Sequence, residues 1–352
     1  MHPCARLPTR AGGDGTTNFL RPTKTLMHPL VRSALLCERW DVSLPSVSKS
    51  VPENLRDQPI GVFDSGLGGL TVVRELLGAM PGEDIVYLGD SARAPYGTKS
   101  LETVRRFAME DAGFLLRFSP KMVVVACNTA SAAAIEVLEK SCPVEVVEVI
   151  RPGAAAALEA TGGLIGVVGT KATVASQAYE RAIWAADPAR QVMSTTCPLL
   201  VPIVEEGRAD NDPIVVAVLS DYLRDLQRAR PGALILGCTH YPLLAEAFAK
   251  LMGPNVPLVS SSRAAAKEVQ RRLYRSGLQS TRTYGGRLWC FTTDDPEEFA
   301  RLGERFGGRR IDRTEFVSTE ELEAVRPRGP SVARPRAPRR GRSRIRSRPK
   351  RP

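Results

Sequence analysis

The sequence predicts an α/β fold of two similar lobes, each built on a mostly parallel sheet, related by pseudo-two-fold symmetry and separated by a cleft. Between about residues 59 and 325, short runs rich in Val, Ile and Leu alternate with segments of helical spacing. Strands that are apolar on both sides and alternate with helices are typical of parallel sheets covered on both faces. The pattern also repeats, because IGVFDSGLGG begins at residue 60 and IGVVGTKATV begins at residue 165. Such an internal repeat predicts two halves of like topology.

The individual elements follow from the apolar periodicity. Thr71 to Met80 places its apolar side chains on one stripe of a helix, and Leu101 to Phe118 does the same with charges on the outer face. The strands are predicted at 59–63, 85–89, 122–126, 144–150, 164–169, 191–196, 233–237 and 256–260.

Composition divides the chain into lobes and terminal segments. We place the first lobe at 59–155, with part of 256–325 returning to it, and the second lobe at 156–255. Residues 1–58 have no sustained period and are expected to form a mostly unstructured extension. Residues 326–352 contain twelve Lys or Arg and no Asp or Glu, which is the composition of a disordered basic tail. Such a tail is able to contact nucleic acid without sequence preference. Composition alone favours a solvated tail with no selected role over that interpretation.

The overall composition indicates a soluble globular protein of 352 residues, 43% apolar and 25% charged. No apolar run approaches the roughly 18 residues needed to cross a bilayer. The apolar run at 29–37 is short and carries Arg32, unlike the core of a signal peptide. We therefore expect a cytoplasmic protein that has no membrane partner.

Two of the seven cysteines, Cys127 and Cys238, each follow a predicted strand, in VVVACNTAS at 123–131 and ALILGCTHYP at 233–242. The cysteines are widely spaced and include no CxxC pair, so neither a disulfide framework nor a zinc ribbon is indicated. In open α/β sheets, ligands bind at the carboxyl ends of strands, where both thiols are expected to lie. If the two halves face each other, the thiols approach a shared cleft from opposite sides.

Two thiols on opposite walls suit the inversion of a stereocentre that carries a hydrogen. One group must remove the proton from one face, and the other must deliver a proton to the opposite face. A thiol suits both tasks because its pKa is readily tuned by its neighbours. The residues that follow each cysteine lie where helices begin, so their side chains and the helix N-terminal amides can hold a carboxylate.

Six motifs carry a resemblance that extends over about residues 59–320. They are FDSGLGGL at 63–70, GDSARAPYG at 89–97, ACNTAS at 126–131, VIRPG at 149–153, CPLLVPIVEEG at 197–207 and GCTHYPLL at 237–244. Together, in this order, they resemble the glutamate racemases of the cofactor-independent aspartate/glutamate racemase family. The two terminal extensions are not part of the family pattern.

The resemblance implies an enzyme that converts L-glutamate to D-glutamate with two cysteine bases and no cofactor or metal, and so supplies peptidoglycan precursor synthesis. Glutamate is then the small-molecule partner, and a homodimer is left open. By the resemblance, Cys127 and Cys238 transfer the protons, and Asp64, His240 and Glu205 assist them. The residues implied to line the substrate site are Asp64, Ser65, Tyr96, Gly97, Asn128, Thr129, Thr239 and His240.

Each of these residues has a structural alternative. Cys127 and Cys238 could be inert buried thiols, as most free cysteines are. Asp64 could cap the helix that begins near Leu70. His240 could have a structural role, and spacing alone does not choose between Glu205 and its neighbour Glu206.

Rival functions come from other classes. A zinc enzyme could use Cys127, Cys238 and His240 as ligands, with water as the fourth. A pyridoxal phosphate racemase needs a Schiff-base lysine near a phosphate site, and no lysine stands in such a context. A nucleic-acid-binding protein would depend on the tail alone. Within the racemase family, aspartate is the alternative substrate, because the sequence does not reveal the size of the pocket.

Overall fold

A computed structural model describes residues 55–325 of the protein. The predictions of a disordered tail at 326–352, and of a disordered extension for all but its last four residues, lie outside the described residues. Within them, Leu55–Asp57 forms a single 3-10 turn before the first strand.

The first sheet has six strands, and every neighbouring pair is parallel. The strands are β1 (Ile60–Asp64), β2 (Ile85–Gly89), β3 (Met122–Val125), β4 (Glu145–Glu148), β9 (Leu288–Thr292) and β10 (Arg313–Phe316). Their order is β10-β9-β2-β1-β3-β4, so the last two strands of the described residues extend the edge next to β2.

The second sheet has four parallel strands: β5 (Ile165–Gly169), β6 (Val192–Thr196), β7 (Ala233–Gly237) and β8 (Leu258–Ser260). Their order is β6-β5-β7-β8. The two central strands, β5 and β7, have their carboxyl ends in register because Gly169 pairs with Gly237.

Helices connect the parallel strands, as crossovers between parallel strands require. Several begin with side-chain caps; Ser100, for example, accepts a hydrogen bond from the Thr103 backbone N–H. The helices are α1 (Leu70–Ala79), α2 (Leu101–Leu116), α3 (Asn128–Ser141), α4 (Ile150–Ala160), α5 (Lys171–Ala175), α6 (Ala178–Ala186), α7 (Leu200–Glu205), α8 (Pro213–Ala229), α9 (Ala245–Met252), α10 (Ser261–Ser276), α11 (Pro296–Gly307) and α12 (Thr319–Ala324).

The apolar core is continuous through both sheets. One cluster joins Val62 of β1 and Leu76 of α1 to Val167 of β5 and Leu234 of β7. Helix α10 contacts both α1 and α4. A second cluster covers the opposite face of the first sheet under α2, α3 and α12. The two sheets therefore hold their strand ends in a fixed relation to each other.

The predicted fold class is confirmed: the protein is α/β, with parallel sheets in two lobes. The eight predicted strands are present with small shifts at their ends, whereas β9 and β10 were not predicted. The sequence LWCFT of β9 is an apolar run as long as β1, so it carries a strand signal that the prediction did not use. RTEF of β10 is a polar edge strand that shows no clear period. The lobe boundaries at 155 and 255 stay a prediction. No helix among residues 55–325 is both long enough and apolar enough to span a membrane.

Candidate active site

The candidate site lies where the parallel strands of both sheets end. β1 ends at Asp64, and Cys127 follows the end of β3 after one residue. In the other sheet, Cys238 directly follows β7. Each of the two thiols is only 5% exposed, and they are near enough to interact electrostatically. The structure thus brings the two predicted cysteines together, one from each sheet.

Cys127 is the residue that caps the N-terminus of α3. Its Sγ accepts a hydrogen bond from the Ala130 backbone N–H at 3.4 Å, and its thiol donates to Ser65 Oγ at 3.8 Å. Burial nevertheless raises the pKa of the Cys127 thiol well above its ordinary value, and the negative charge of Asp64 adds to this effect. The resting thiol is therefore protonated, and it needs a neighbouring base to release its proton.

Asp64 supplies a carboxylate beside Cys127. Its Oδ2 accepts hydrogen bonds from the backbone N–H groups of Gly66 at 3.2 Å and Gly69 at 3.0 Å, and so holds the turn before α1. Its Oδ1 is buried and has no hydrogen-bond partner within residues 55–325. Burial raises the pKa of this carboxyl, while the positive charge of His240 opposes the rise. The helix-capping alternative accounts for Oδ2 only and leaves Oδ1 able to accept a proton.

His240 lies between Cys238 and Glu205. Its Nδ1 is 3.8 Å from Cys238 Sγ, and its Nε2 is 2.9 Å from Glu205 Oε1. Burial alone lowers the pKa of His240, but the hydrogen bonds with Cys238 and Glu205 outweigh burial and raise this pKa to about 10. A raised pKa makes the imidazole a good acceptor for the Cys238 thiol proton, and the positive charge that it then carries stabilises the thiolate.

Glu205, rather than Glu206, is the acid that contacts His240. Glu205 is the last residue of α7, and its side chain is 42% exposed. Spacing in the sequence did not distinguish Glu205 from Glu206. The structure does, because the end of α7 directs the Glu205 side chain toward His240.

Tyr96 and Gly97 lie on the loop after β2, but the Tyr96 side chain points away from the cleft. The Tyr96 ring is fully buried, and its hydroxyl donates to Asp90 and, at 2.9 Å, to Asp111 Oδ2. Gly97 lies against Thr170 of the second lobe, since a Cβ on Gly97 would be 2.6 Å from Thr170 Cβ. Any contact that Tyr96 makes in the cleft must therefore come from its backbone.

The buried partners of Tyr96 form a charge network that the sequence did not predict. Arg93 contacts Glu110, Asp90 at 2.7 Å and Asp111 at 3.2 Å, and all three carboxylates are fully buried. The prediction that the charges of α2 lie on its outer face is wrong for Glu110 and Asp111, because they turn inward to meet Arg93. The only sequence signal is an acidic pair inside the apolar stretch FAMEDAGF.

Asn128, Thr129 and Thr239 join elements of the two lobes. Asn128 Oδ1 accepts a hydrogen bond from the Tyr179 hydroxyl at 2.6 Å. Thr129 Oγ1 is 3.0 Å from Thr170 Oγ1, and the Thr239 carbonyl accepts a hydrogen bond from the Thr71 hydroxyl at 2.9 Å. These predicted binding residues are thus placed at the cleft and also connect its two walls.

Gly68 lies at a point where the backbone of one wall comes close to side chains of the other. A Cβ on Gly68 would overlap the Thr239 hydroxyl and would be 2.5 Å from the His240 ring. A Cβ on Gly66, in the same loop, would meet nothing nearer than 3.9 Å. The surrounding atoms therefore leave no room for a side chain at position 68, whereas they do at position 66.

We expect Gly68→Ala to lower the turnover rate by about 100-fold, because the methyl group must displace His240 from its place beside Cys238. Gly66→Ala is the matched control and should retain most of the activity. Steady-state kinetics of both variants test this prediction. Equal rates for the two variants would contradict it.

No group of three or more His, Cys, Asp or Glu side chains within residues 55–325 is arranged to hold a metal ion. The arrangement of Cys127, Cys238 and His240 therefore gives the zinc alternative no support.

Comparison with known proteins places this site in a family context. Residues 63–269 match the Asp/Glu/hydantoin racemase family. A glutamate racemase of Geobacter metallireducens is 44% identical over 262 residues, which cover 74% of this chain and 97% of that protein. The crystal structure of a glutamate racemase isoform of Bacillus anthracis has a TM-score of 0.72 and 38% identity, covering 75% of this chain and 98% of that chain. The structure of the Francisella tularensis glutamate racemase in complex with D-glutamate has a TM-score of 0.70 and 39% identity, covering 76% and 99% of the two chains.

Proposed function

Because the chain belongs to the Asp/Glu/hydantoin racemase family, we propose that it interconverts L- and D-glutamate by a two-base mechanism in which Cys127 and Cys238 transfer the protons. The chain is an amino-acid racemase, and hence an isomerase, related over most of its length to glutamate racemases. The observation that carries the proposed mechanism is the pair of nearly buried thiols, each at a strand end and each beside its own ionisable neighbour.

On the wall of the first sheet, Asp64 acts as the base for Cys127. Its buried Oδ1 has no hydrogen-bond partner among the described residues, and its raised pKa makes it a better proton acceptor than an exposed aspartate. When Asp64 takes the thiol proton, the Cys127 thiolate keeps the hydrogen bond from the Ala130 N–H at the N-terminus of α3. This thiolate removes the α-hydrogen from one face of the substrate.

On the opposite wall, His240 serves Cys238. When Cys238 acts as the base, His240 Nδ1 accepts its thiol proton, and the imidazolium that forms is stabilised by Glu205 and in turn stabilises the Cys238 thiolate. For one enantiomer Cys127 is the base and the Cys238 thiol delivers a proton to the other face; for the other enantiomer the roles reverse. Because Asp64 assists Cys127 and His240 assists Cys238, the two directions of racemisation should depend on different residues.

Substrate carboxylates are held by backbone N–H groups and short polar side chains at the strand ends. Ser65, Asn128, Thr129 and Thr239 are the side chains that we assign to this role, and Tyr96 and Gly97 contribute through their backbone. Helix N-termini attract anions. The start of α3 therefore favours a carboxylate beside Cys127.

We propose that the product, D-glutamate, supplies peptidoglycan precursor synthesis in the cytoplasm. We also propose two further partners. One is a second copy of the chain, in a homodimer, and the other is nucleic acid, which the basic tail at 326–352 would contact without sequence preference.

The test is a racemisation assay in deuterated water with L-glutamate and L-aspartate in parallel, with and without a chelator. We expect D-glutamate that carries deuterium at the α-carbon, because the proton delivered comes from a thiol in exchange with solvent. L-Aspartate should react much more slowly, and chelation should change nothing. Faster turnover of aspartate would reassign the substrate, and loss of activity in chelator would restore the zinc alternative.

A further inference from the structure

The last turn of α11 reaches from the first sheet to the Glu205–His240–Cys238 group. Helix α11 connects β9 to β10 in the first sheet, whereas Glu205 and His240 belong to the second lobe. We propose that Arg305 and Phe306, at this end of α11, are positioning residues that hold Glu205 and His240 in line with Cys238. The proposal rests on the function proposed above for these three residues.

Arg305 binds the backbone on both sides of Glu205. Its Nη1 donates to the Val204 carbonyl at 2.8 Å, and its Nη2 donates to the Arg208 carbonyl at 3.1 Å. The Val204 carbonyl also accepts a hydrogen bond from the Gly207 backbone N–H at 3.0 Å, so Arg305 adds a second donor to it and connects the end of α7 to the Arg208 carbonyl beyond the helix. The planar guanidinium holds both carbonyls in a fixed geometry that a lysine would not reproduce.

This backbone contact matters because the Glu205 side chain has little else to fix it. The side chain is 42% exposed and has a hydrogen bond to His240. α7 is only six residues long, so its end is not held rigid by the helix itself. If the end of α7 moves, Glu205 Oε1 leaves His240 Nε2.

Phe306 fixes the plane of the imidazole. Its ring is 1% exposed and lies 5.4 Å from the His240 ring at an interplanar angle of 82°, an edge-to-face arrangement. The imidazole must keep one orientation to present Nδ1 to Cys238 and Nε2 to Glu205 at the same time. A ring packed edge-on against it opposes rotation away from that orientation.

Helix α11 is itself anchored close to the other wall of the cleft. A Cβ on Gly303 would be 2.9 Å from Leu70 Cδ1, so α11 lies directly against the start of α1, just beyond the Asp64 turn. Phe299 is equally close to Gly89, where a Cβ would be 2.6 Å from the Phe299 ring. The position of α11, and with it that of Arg305 and Phe306 beside Glu205 and His240, is therefore fixed by the first wall.

The test uses the full chain with Arg305→Met, the conservative variant Arg305→Lys, and Arg301→Met as the matched control. Arg301 lies on the same helix with a side chain that is 67% exposed, and its ion pair is with Glu298. His240→Asn serves as the reference, because it removes the imidazole that assists Cys238.

The first measurement is kcat for each direction of glutamate racemisation. We expect Arg305→Met to lower kcat by about tenfold or more in the direction that His240→Asn impairs most, and less in the other direction. The equilibrium constant cannot change, so the KM values must compensate. Arg305→Lys should recover part of the loss, and Arg301→Met should match the unmodified protein. Equal losses in both directions, or no difference from Arg301→Met, would overturn the proposal.

The second measurement does not depend on turnover: the NMR titration of the His240 ring, assigned by its disappearance in His240→Asn. Cys238, Glu205 and Asp64 are the ionisable groups that interact with His240. Loss of the Glu205 hydrogen bond should lower the His240 pKa from about 10 in Arg305→Met but not in Arg301→Met. An unmoved titration in an active enzyme overturns the inference. A moved titration in a chain that does not racemise glutamate supports the positioning role and overturns only the proposed function.

Discussion

Cys127→Ser and Cys238→Ser should each lower racemisation by roughly 10³-fold, the size of effect typical of a lost general base. A hydroxyl is a much weaker acid than a thiol, so serine does not reach its anion near neutral pH even beside Asp64 or His240. Cys142→Ser is the matched control for Cys127, because Cys142 lies at the other end of the same helix α3. It should leave the rate close to that of the unmodified protein.

The two serine variants should also differ from each other. The thiol that remains still faces the α-hydrogen of one enantiomer, so each variant should exchange that hydrogen slowly with deuterated water in only one enantiomer. The favoured enantiomer should be opposite in the two variants. Near-normal turnover in either variant would contradict the two-thiol mechanism, and exchange of the same enantiomer in both would show that the thiols do not face opposite sides of the substrate.

Arg93→Met should lower the free energy of unfolding by about 3–5 kcal/mol, the usual cost of removing one partner from a buried ion pair. The guanidinium is the cation that contacts Asp90, Glu110 and Asp111, which are all fully buried. Its loss leaves negative charge that neither water nor a counterion in the same position stabilises. Urea denaturation followed by circular dichroism measures the change.

Two further variants sharpen this test. Arg106, which is 49% exposed and 4.0 Å from Glu110, is the control, and Arg106→Met should cost less than about 1 kcal/mol. Burial, followed by the charge of Asp90, raises the pKa of Asp111 well above its ordinary value. The double variant Arg93→Met/Asp111→Asn should therefore be more stable than Arg93→Met alone, because the asparagine replaces a buried carboxyl that must either stay charged without its cation or take up a proton. A double variant that is less stable would show that Asp111 is needed for packing rather than for charge balance.

Much of the fold was predictable because its elements are defined by neighbours in the sequence. The central strands β1, β3, β5 and β7 are buried over their whole length, so each appears as a continuous apolar run. β10 has exposed residues at both ends and an edge position, so its sequence carries no such run. Its place in the sheet depends on β9, and a sequence pattern does not report on a pairing partner.

The thiols were predictable for a related reason. Cys127 and Cys238 stand at the carboxyl ends of strands, and the topology of parallel sheets brings such ends to one edge. The residues that assist the thiols were less predictable. Asp64, His240 and Glu205 were assigned by resemblance, and their roles stay a prediction. The geometry around them, such as the 2.9 Å contact between His240 and Glu205, was not available from the sequence.

The sequence by itself determined the periodic elements, the α/β class and the two strand-end cysteines, because each depends on residues that are close together in the chain. Only the tertiary structure decided that Glu205 rather than Glu206 contacts His240, and that Glu110 and Asp111 turn inward to Arg93. It also decided that Arg305 reaches Val204, about a hundred residues away in the chain. Such contacts depend on how whole elements pack. A helical period specifies which face of a helix is apolar, but it does not specify which charged side chain meets a partner there.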